Sequence, residues 1–306
     1  MSKILITGGA GFIGSHLAET LANQGNEVVV LDNLLRGNKI PNETLNKITL
    51  LKGDVIDNST VSNAAEGCDY IYHLAAILGV DIVADNPTET MEVEVIGMKN
   101  VAAAALMNNS KIIYASTSGI YGHNAIEQSV TEDIMVDPRT SYAMAKRYNE
   151  LYLAALHEEK GLDCIALRYF NVYGVRQDNR MVTPRFIEQA LANEPITVFG
   201  DGNQTRDFTY IDDTIKATIL VGEKVSGFEI LNVANENEEN ILNLAKKIIS
   251  ITGSTSEIAM IEAPKKRYDY EVGRRFGNSD KLLSFIGYKP DTDLDTGLSY
   301  LIQEYK

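Results

Sequence analysis

Short, almost wholly apolar runs alternate with longer amphipathic segments through the first two-thirds of the chain. The apolar runs are rich in branched residues and predict β-strands at 3–7, 27–31, 48–51, 70–74, 111–115 and 164–169. The segments between them predict helices at 12–24, 59–66, 87–108 and 141–159, with Thr88 as the expected N-cap of the third helix. Apolar strands separated by helices are typical of a parallel sheet that is covered on both faces. The alternation therefore predicts an α/β fold with a doubly wound parallel sheet.

The regular alternation ends near residue 170, after which the loops lengthen. We expect a sheet domain at 1–170 and a smaller, loop-rich α/β domain at 171–306. An apolar run at 228–233 predicts a later strand that rejoins the edge of the sheet. Ligands of doubly wound sheets bind beyond the carboxyl ends of the strands, so the functional crevice is expected between the two domains.

The charge and hydropathy of the chain exclude two classes of partner. There are 42 acidic and 28 basic residues, and a net charge of −14 repels the phosphate backbone of a nucleic acid. No apolar run reaches the roughly 18 residues that a membrane-spanning helix needs. The strand-like run at 3–7 leaves no room for a signal peptide, so the expected location is the cytoplasm.

The only two cysteines are Cys68 and Cys164, and each lies in or beside an apolar run. They form neither a CxxC pair nor a zinc-ligand spacing. We interpret both as buried, reduced thiols and predict no metal site.

A glycine-rich turn, Thr7–Gly14 (TGGAGFIG), joins the first predicted strand to the first predicted helix. Gly8 permits a tight turn, Gly11 lets the backbone approach a pyrophosphate, and Gly14 lets the helix pack closely on the sheet. The N-terminal turn of the helix, at Phe12 and Ile13, offers free N–H groups to phosphate oxygens. The turn therefore predicts a dinucleotide site on a Rossmann-type sheet.

Asp32 closes the second predicted strand, 18 residues after Gly14. A carboxylate at this place accepts a hydrogen bond from the adenosine ribose 2′-hydroxyl and disfavours a 2′-phosphate, so NAD is predicted rather than NADP, although Arg36 lies nearby. Further cofactor contacts are expected where the next strands end, at Asn33, Asp54, Val55, Leu74, Ala75 and Ala76.

Tyr142 and Lys146 lie four residues apart and so share one face of the predicted helix 141–159. A phenol has an ordinary pKa of about 10, which an adjacent ammonium and a positively charged nicotinamide ring both lower. Tyr142 is therefore a candidate general base, with Lys146 as its electrostatic partner and as a contact to the nicotinamide ribose. Thr117 follows a predicted strand, where its hydroxyl can reach the same crevice.

Several motifs together resemble the extended short-chain dehydrogenase/reductase family of nucleotide-sugar epimerases and dehydratases. They are Thr7–Gly14, Asp32, 115–122 (ASTSGIYG), Tyr142 with Lys146, 168–174 (RYFNVYG), 199–213 (FGDGNQTRDFTYIDD) and 283–290 (LSFIGYKP). The resemblance covers nearly the whole chain. It implies bound NAD, catalysis by Thr117, Tyr142 and Lys146, a nucleoside-diphosphate sugar as substrate, and a homodimer formed through helices 87–108 and 141–159.

The resemblance also implies roles for individual residues. Tyr142 removes the proton of the sugar 4-hydroxyl while C4 passes a hydride to NAD⁺, and Thr117 and Ser118 hydrogen-bond the same oxygen. Tyr169 flanks the nicotinamide. The implied substrate contacts are Asn171, Arg206 and Arg274 to the diphosphate, Phe199 to the base and Arg176 to the sugar. Basic residues at 265–267 and at 274–275 suit a bound anion.

The two residues after Thr117 bear on the reaction. The 4,6-dehydratases of the family carry Asp-Glu there and the glucuronate decarboxylases carry Ser-Glu, whereas this chain has Ser118-Gly119. Since Gly119 brings no carboxylate, we predict an NAD-dependent 4-epimerase of UDP-glucose/UDP-galactose type with a transient 4-keto intermediate. UDP-glucuronate, which Arg176 would suit, and UDP-N-acetylhexosamines remain open as substrates. Decarboxylation, dehydration, one-way 4-keto oxidoreduction and a non-catalytic NAD-binding regulator remain open as functions.

The chain departs from the family pattern at a few positions. Glu94 replaces an Asn, Ala145 a Ser, Val175 a Pro and Asn278 an Asp. Glu94 matters most, because its helix is expected to back the cofactor pocket. The glutamate is either a surface change or a new charge near Lys146.

Overall fold

The structure, a computed structural model, describes residues 1–77, 79–125, 129–262 and 272–305. The strands are β1 (Lys3–Thr7), β2 (Glu27–Asp32), β3 (Thr49–Lys52), β4 (Tyr70–His73), β5 (Lys111–Thr117), β6 (Cys164–Tyr169), β7 (Ile196–Phe199), β8 (Thr205–Asp207), β9 (Phe228–Val233), β10 (Glu238–Asn240), β11 (Ile258–Ile261) and β12 (Arg274–Arg275). The helices are α1 (Phe12–Asn23), α2 (Asn42–Leu45), α3 (Asn58–Ala64), α4 (Val80–Asp85), α5 (Pro87–Asn108), α6 (Ser141–Lys160), α7 (Val182–Leu191), α8 (Ile211–Lys224), α9 (Ile241–Thr252), α10 (Asp280–Ile286) and α11 (Leu294–Gln303).

Within these ranges seven strands form one sheet in the order β3-β2-β1-β4-β5-β6-β9. β1 pairs in parallel with both β2 and β4, and the parallel pairing continues from β2 to β3 and from β4 to β5. The strand order reverses at β1, which makes the carboxyl ends of β1 and β4 the switch point where such sheets bind ligands. The predicted doubly wound parallel sheet is confirmed, and the strand at Phe228–Val233 forms one of its edges.

The four helices predicted from the sequence are present as α1, α3, α5 and α6. The expected cap of α5 at Thr88 is wrong, because this helix begins at Pro87 and Asn86 precedes it. Proline suits the first helical position, since its missing N–H has no partner there in any helix. None of the helices in the described ranges is long and apolar enough to cross a bilayer.

Apolar side chains of the sheet pack against α3 and α5 in a continuous core. Leu5, Ile71 and Ile112 supply it from neighbouring strands, and Cys68 and Cys164 belong to the same cluster. Both cysteines are free and buried, as predicted. Burial raises the pKa of Cys68 to about 11 and that of Cys164 to about 12, so both thiols stay protonated at neutral pH.

The chain forms two compact units that interleave in the sequence. The first contains 1–120, 138–168 and 215–231, and the second contains 121–137, 169–214 and 232–306. Within the first unit, the Lys111 ammonium donates a hydrogen bond of 2.7 Å to the carbonyl of Gly222 and a second hydrogen bond to the carbonyl of Val225. The start of β5 is thereby tied to the C-terminal end of α8, where free carbonyls favour a cation.

Candidate active site

The turn between β1 and α1 has no room for a side chain at Gly8 or at Gly14. Gly8 has φ +70°, and a Cβ there would lie 2.6 Å from the nitrogen of Ala75. A Cβ on Gly14 would collide with the carbonyl oxygen of Gly8 and lie 2.6 Å from the Cα of Gly9. The tight turn predicted at Gly8 and the close helix packing predicted at Gly14 are therefore present in the backbone, and main-chain atoms line the turn as a cradle.

α1 begins at this cradle with its donors uncovered by a cap. Gly11 occupies the N-cap position and has no side chain to accept from the first turn. The first intrahelical bond runs from the nitrogen of Ser15 to the oxygen of Gly11 over 3.0 Å, so the N–H groups of Phe12, Ile13 and Gly14 precede the helical ladder. These donors and the positive end of a 12-residue helix suit the pyrophosphate of NAD.

Asp32, at the end of β2, is tied to the same turn. Its carboxylate accepts from the nitrogen of Ala10 at 3.0 Å and from that of Leu34 at 2.8 Å. Each carboxylate oxygen can accept a second hydrogen bond, which leaves capacity for a ribose hydroxyl. The neighbouring Asn33 donates to the Asp54 carboxylate at 3.1 Å, so these two residues, which follow β2 and β3 and were predicted as cofactor contacts, lie side by side.

The other predicted cofactor residues lie beyond β3 and β4. Val55 is buried. Leu74, Ala75 and Ala76 have half-buried side chains, and the backbone of Leu74 and Ala75 lies against the glycine turn. Asn100 of α5, which the sequence analysis did not single out, donates to the carbonyls of Val55 at 2.8 Å and Ile56 at 3.0 Å. The sequence signal for Asn100 was the presence of an amide side chain among the mostly apolar residues 98–105 of α5.

α6 places the predicted catalytic phenol and ammonium. Thr140 caps this helix by accepting from the nitrogen of Ala143 at 3.1 Å. Tyr142 therefore lies in the first turn, and Lys146 follows one turn later with its Nζ 5.4 Å from the centre of the Tyr142 ring. Thr117, at the end of β5, hydrogen-bonds Tyr142. The structure thus brings Thr117, Tyr142 and Lys146 together.

The environment of Tyr142 favours its neutral form. Burial raises the pKa of this phenol and the carboxylate of Glu94 raises it further, whereas the hydrogen bond from Thr117 lowers it. The phenol accordingly keeps its proton at neutral pH in the protein alone. A positive charge brought beside the ring would favour the phenolate.

A buried polar cluster lies behind the three residues. The Glu94 carboxylate is 3.1 Å from the Lys146 ammonium, and neither side chain is more than 1% exposed. Asn149 donates to the main-chain oxygen of Glu94 at 3.0 Å and to the hydroxyl of Tyr114 at 2.9 Å. Glu94, which replaces an Asn of the family pattern, is therefore not a surface residue. It places a buried carboxylate next to the candidate catalytic lysine.

A second buried cluster, which the sequence analysis missed, ties together the three elements that carry the site. Glu150 of α6 accepts from Ser116 at 2.7 Å, from Arg147 at 3.0 Å, and from two nitrogens of Arg168 at 2.9 Å each. Ser116 precedes Thr117, and Arg147 follows Lys146. An arginine inside the otherwise apolar strand β6 was the sequence signal for this cluster.

The second unit carries the other predicted residues. Tyr169 ends β6 and is largely buried. Asn171 and Arg176, in the loop that follows, have positive φ angles of 28° and 67° and half-buried side chains. Left-handed backbone at residues other than glycine is strained, and such strain concentrates at binding and active sites. Gln177 braces the loop by donating to the carbonyl of Val172 at 2.7 Å.

The small sheet β10-β8-β12 holds the predicted diphosphate arginines. β12 pairs with β8 in parallel, with Arg275 opposite Arg206 and Arg274 opposite Thr205. Paired residues share a face of a sheet, so Arg206 and Arg275 begin on one face and Arg274 on the other. Arg274 makes a two-point ion pair with Glu238, at 2.7 and 2.9 Å. The register therefore places Arg275, which the sequence analysis named only within a basic cluster, opposite Arg206.

Phe199 ends β7, which pairs in parallel with β11. Its ring is half-buried, and the guanidinium carbon of Arg185 lies 4.9 Å from the ring centre. Of the basic cluster noted in the sequence, the part at 265–267 lies outside the described residues.

Comparison with known proteins gives a family. Residues 4–234 match the NAD dependent epimerase/dehydratase family. The UDP-N-acetyl-alpha-D-glucosaminuronate decarboxylase of Bacillus cytotoxicus is 36% identical over 316 aligned residues, which cover 99% of this chain and 98% of that protein.

Two solved structures show the same fold. The UDP-glucose 4-epimerase of Thermotoga maritima, solved with UDP-glucose, has a TM-score of 0.92 at 31% identity, covering 99% of this chain and 98% of that one. The UDP-glucuronic acid 4-epimerase of Bacillus cereus, solved with UDP-glucuronic acid and NAD, has a TM-score of 0.90 at 30% identity, covering 99% and 100%. Together with the glycine cradle and the Asp32 carboxylate, these matches identify the chain as an NAD-dependent member of the epimerase/dehydratase family, within the extended short-chain dehydrogenase/reductases.

Proposed function

We propose that this protein is an NAD-dependent 4-epimerase of a UDP-sugar, of the UDP-glucose/UDP-galactose type. The observation that carries the proposal is the convergence of Thr117, Tyr142 and Lys146 at the end of β5 and the start of α6, with Gly119 in place of a carboxylate. In this proposal residues 1–170 hold the cofactor, and residues 171–306 supply the contacts to the sugar nucleotide.

The residues of the site divide the chemistry among them. Bound NAD would supply the hydride acceptor and, in the second half of the cycle, the hydride donor. Tyr142 takes the proton of the sugar 4-hydroxyl and returns one when the ketone is reduced on its other face. Thr117 hydrogen-bonds the same oxygen, and Lys146 holds positive charge beside the phenol. The N-terminal turn of α6 adds the favourable end of a helix dipole to a phenolate at Tyr142.

The surroundings of Gly119 support epimerisation over dehydration. Its nitrogen donates to the Thr117 hydroxyl at 3.1 Å, and a Cβ there would lie 3.3 Å from that hydroxyl oxygen. The position is thus immediately beside the reacting groups, where the protonated carboxyl group of an Asp or Glu could give its proton to a leaving hydroxyl. Glycine can do no acid–base work, so loss of water across C5–C6 has no group to assist it there.

Decarboxylation of a UDP-hexuronate is the second candidate. The Bacillus cytotoxicus relative carries this activity in its name, and the strained Arg176 is a cation suited to a sugar carboxylate. Oxidation at C4 of a uronate produces a β-keto acid, which loses carbon dioxide readily without an additional acid. Gly119 therefore argues less strongly against decarboxylation than against dehydration.

The substrate contacts in this proposal are those of the second unit. Arg206 and Arg275, which share a face of the small sheet, suit the two phosphates of UDP because guanidinium groups make paired hydrogen bonds to phosphate oxygens. Asn171 would contact the same diphosphate, and Phe199 would pack on the uracil ring.

A homodimer formed through α5 and α6 is part of the proposal. Met144, Tyr148 and Leu151 are each about half exposed along one face of α6, and Ile96 of α5 is also exposed. Positions separated by four and three residues share one side of a helix, so these side chains form an apolar stripe suited to a second copy of the chain.

Proton NMR tests the proposal directly. The protein with NAD is incubated separately with UDP-galactose, UDP-N-acetylgalactosamine, UDP-glucuronate and UDP-N-acetylglucosaminuronate. New anomeric signals of a C4 epimer, with no net NADH, support epimerisation. Loss of the uronate carboxylate to give a UDP-pentose supports the second candidate and contradicts the first. The Tyr142→Phe variant is the control and should abolish either product while NAD still binds.

A further inference from the structure

Two opposite charges are buried side by side behind the candidate base. Glu94 and Lys146 come from α5 and α6, and their charged atoms are 3.1 Å apart with at most 1% of either side chain exposed. Burial raises the pKa of Glu94, whereas the Lys146 ammonium and the Tyr114 hydroxyl favour its charged form. Burying an ion pair costs solvation energy that burying uncharged residues would not cost. A buried pair at this place therefore indicates a role other than stability.

The other groups around the pair leave its charges unaltered. Those that face it are His73 of β4, Tyr114 of β5, and Tyr142 and Glu150 of α6. Of the side chains that the structure describes on the remaining packed elements, Asp85 of α4 is exposed, and those of α3 include no titratable group.

Each of these neighbours is neutral or already balanced. Burial and Lys146 lower the pKa of His73 to about 3, and burial raises the pKa of Tyr114 well above its ordinary value. Glu150 is paired with the buried Arg168 and with the partly exposed Arg147. Among the described side chains, the buried charges of α5 and α6 that are not held by this second cluster are those of Glu94 and Lys146, which cancel each other.

The position of Lys146 shows how the balanced charges act on Tyr142. Its Nζ lies 4.7 Å from the centre of the Tyr114 ring and 5.4 Å from that of Tyr142, and it is 3.1 Å from the Glu94 carboxylate. An unbalanced ammonium would favour the phenolate of Tyr142 at all times. With Glu94 behind it, most of that effect is cancelled.

We propose that Glu94 is a positioning residue that balances the charge of Lys146, so that Tyr142 releases its proton only when the positively charged nicotinamide of NAD⁺ is bound beside it. The proposal rests on the proposed role of Tyr142 as the base. Its consequence is that the proton affinity of Tyr142 follows the oxidation state of the cofactor. The phenol is a base when NAD⁺ is present and an acid when the reduced, neutral ring is present.

Removing the charge of Glu94 should lower the pKa of Tyr142. The Glu94→Gln variant keeps the shape of the side chain, and Glu94→Asn tests the family residue in case the first variant folds poorly. We expect Tyr142 to titrate about one pH unit lower or more in both, the order of shift that removal of one nearby buried negative charge produces at an effective dielectric of about 20. Glu94→Asp keeps the charge and should titrate like the unaltered protein.

The titration is followed by carbon NMR of protein labelled at the ring carbon of tyrosine, with and without NAD⁺, and Tyr142→Phe identifies the signal. Glu92→Gln is the matched control, because Glu92 lies on the same helix, is exposed, and changes the net charge equally. This control should leave the titration unaltered. An equal shift in Glu92→Gln, or none in Glu94→Gln and Glu94→Asn, would overturn the proposal.

The NMR titration does not depend on knowing the sugar. A lower pKa in Glu94→Gln together with no turnover of any UDP-sugar would refute the proposed function and leave the charge balance standing. Where turnover is found, the acidic limb of the pH profile of kcat/KM should move to lower pH in Glu94→Gln. A purely structural role of Glu94 would instead lower activity equally at every pH.

Discussion

The buried carboxylate of Glu150 should be among the most important single groups for the stability of the first unit. It accepts four hydrogen bonds of 2.7–3.0 Å, and Arg168, whose side chain is buried, supplies two of them. Glu150→Gln removes the negative charge of the side chain. It also replaces one accepting oxygen by an amide NH2 group, which then faces the hydrogen-bond donors of the neighbouring residues. Breaking a buried ion pair from one side costs about 3–5 kcal/mol, because the remaining charge stays buried without that compensation.

A loss of this size is large against the total stability of a protein. With an unfolding entropy of about 2.1 cal/mol/K per residue, a chain of 306 residues loses about 6 °C in melting temperature for about 4 kcal/mol. Thermal unfolding followed by circular dichroism measures the change. Glu158→Gln, an exposed position on the same helix, is the matched control and should move the melting temperature by less than about 1 °C.

A second variant separates the charge from the shape. Glu150→Leu combined with Arg168→Met removes both charges and keeps apolar volume, so it should recover most of the stability that Glu150→Gln loses. The reasoning would be refuted if Glu150→Gln were no less stable than Glu158→Gln, or if the double variant were less stable than Glu150→Gln.

Four further outcomes are expected. Gly14→Ala should weaken NAD binding about ten- to a hundredfold by calorimetry, because its Cβ would displace the turn. Asp32→Ala should weaken NAD binding about tenfold or more through the lost charge-assisted hydrogen bonds, and unchanged binding would refute the ribose contact. Arg275→Ala should weaken UDP binding at least tenfold, and Arg274→Ala much less, because Glu238 already holds the latter guanidinium. Leu151→Glu should convert the proposed dimer to a monomer in sedimentation, and a monomeric parent protein would contradict the dimer outright.

The cofactor side of the site was accessible from the sequence because its signals are local. Gly8 and Gly14 occupy fixed offsets from a strand end, and each meets backbone within 3 Å of where a Cβ would lie. Tyr142 and Lys146 are one helical turn apart by spacing alone. Their convergence with Thr117 was predicted from the family resemblance and from the rule that the carboxyl ends of parallel strands lie at the same edge of a sheet.

The features that the sequence did not reveal depend on pairings between distant segments. Whether Arg274 or Arg275 faces the same way as Arg206 is decided by the register of a two-residue strand, and no periodicity can be read from two residues. The face of α5 that carries Glu94 was equally ambiguous, since the helix is apolar on several sides. Thr88 is a residue type that often caps helices, but Pro87 takes the first helical position and Thr88 lies inside the first turn.

The tie between Lys111 and the end of α8 has a consequence for synthesis on the ribosome. The first unit includes residues 215–231, so its packing cannot be completed until well over two-thirds of the chain has emerged. A nascent chain of 1–170 would hold the glycine cradle and the strands around it but would lack the carbonyls of Gly222 and Val225 that receive the Lys111 ammonium. Such late closure of long-range contacts slows folding and prolongs exposure of the sheet edge. In a growing polypeptide the first unit therefore stays incomplete until residues 215–231 have been synthesised.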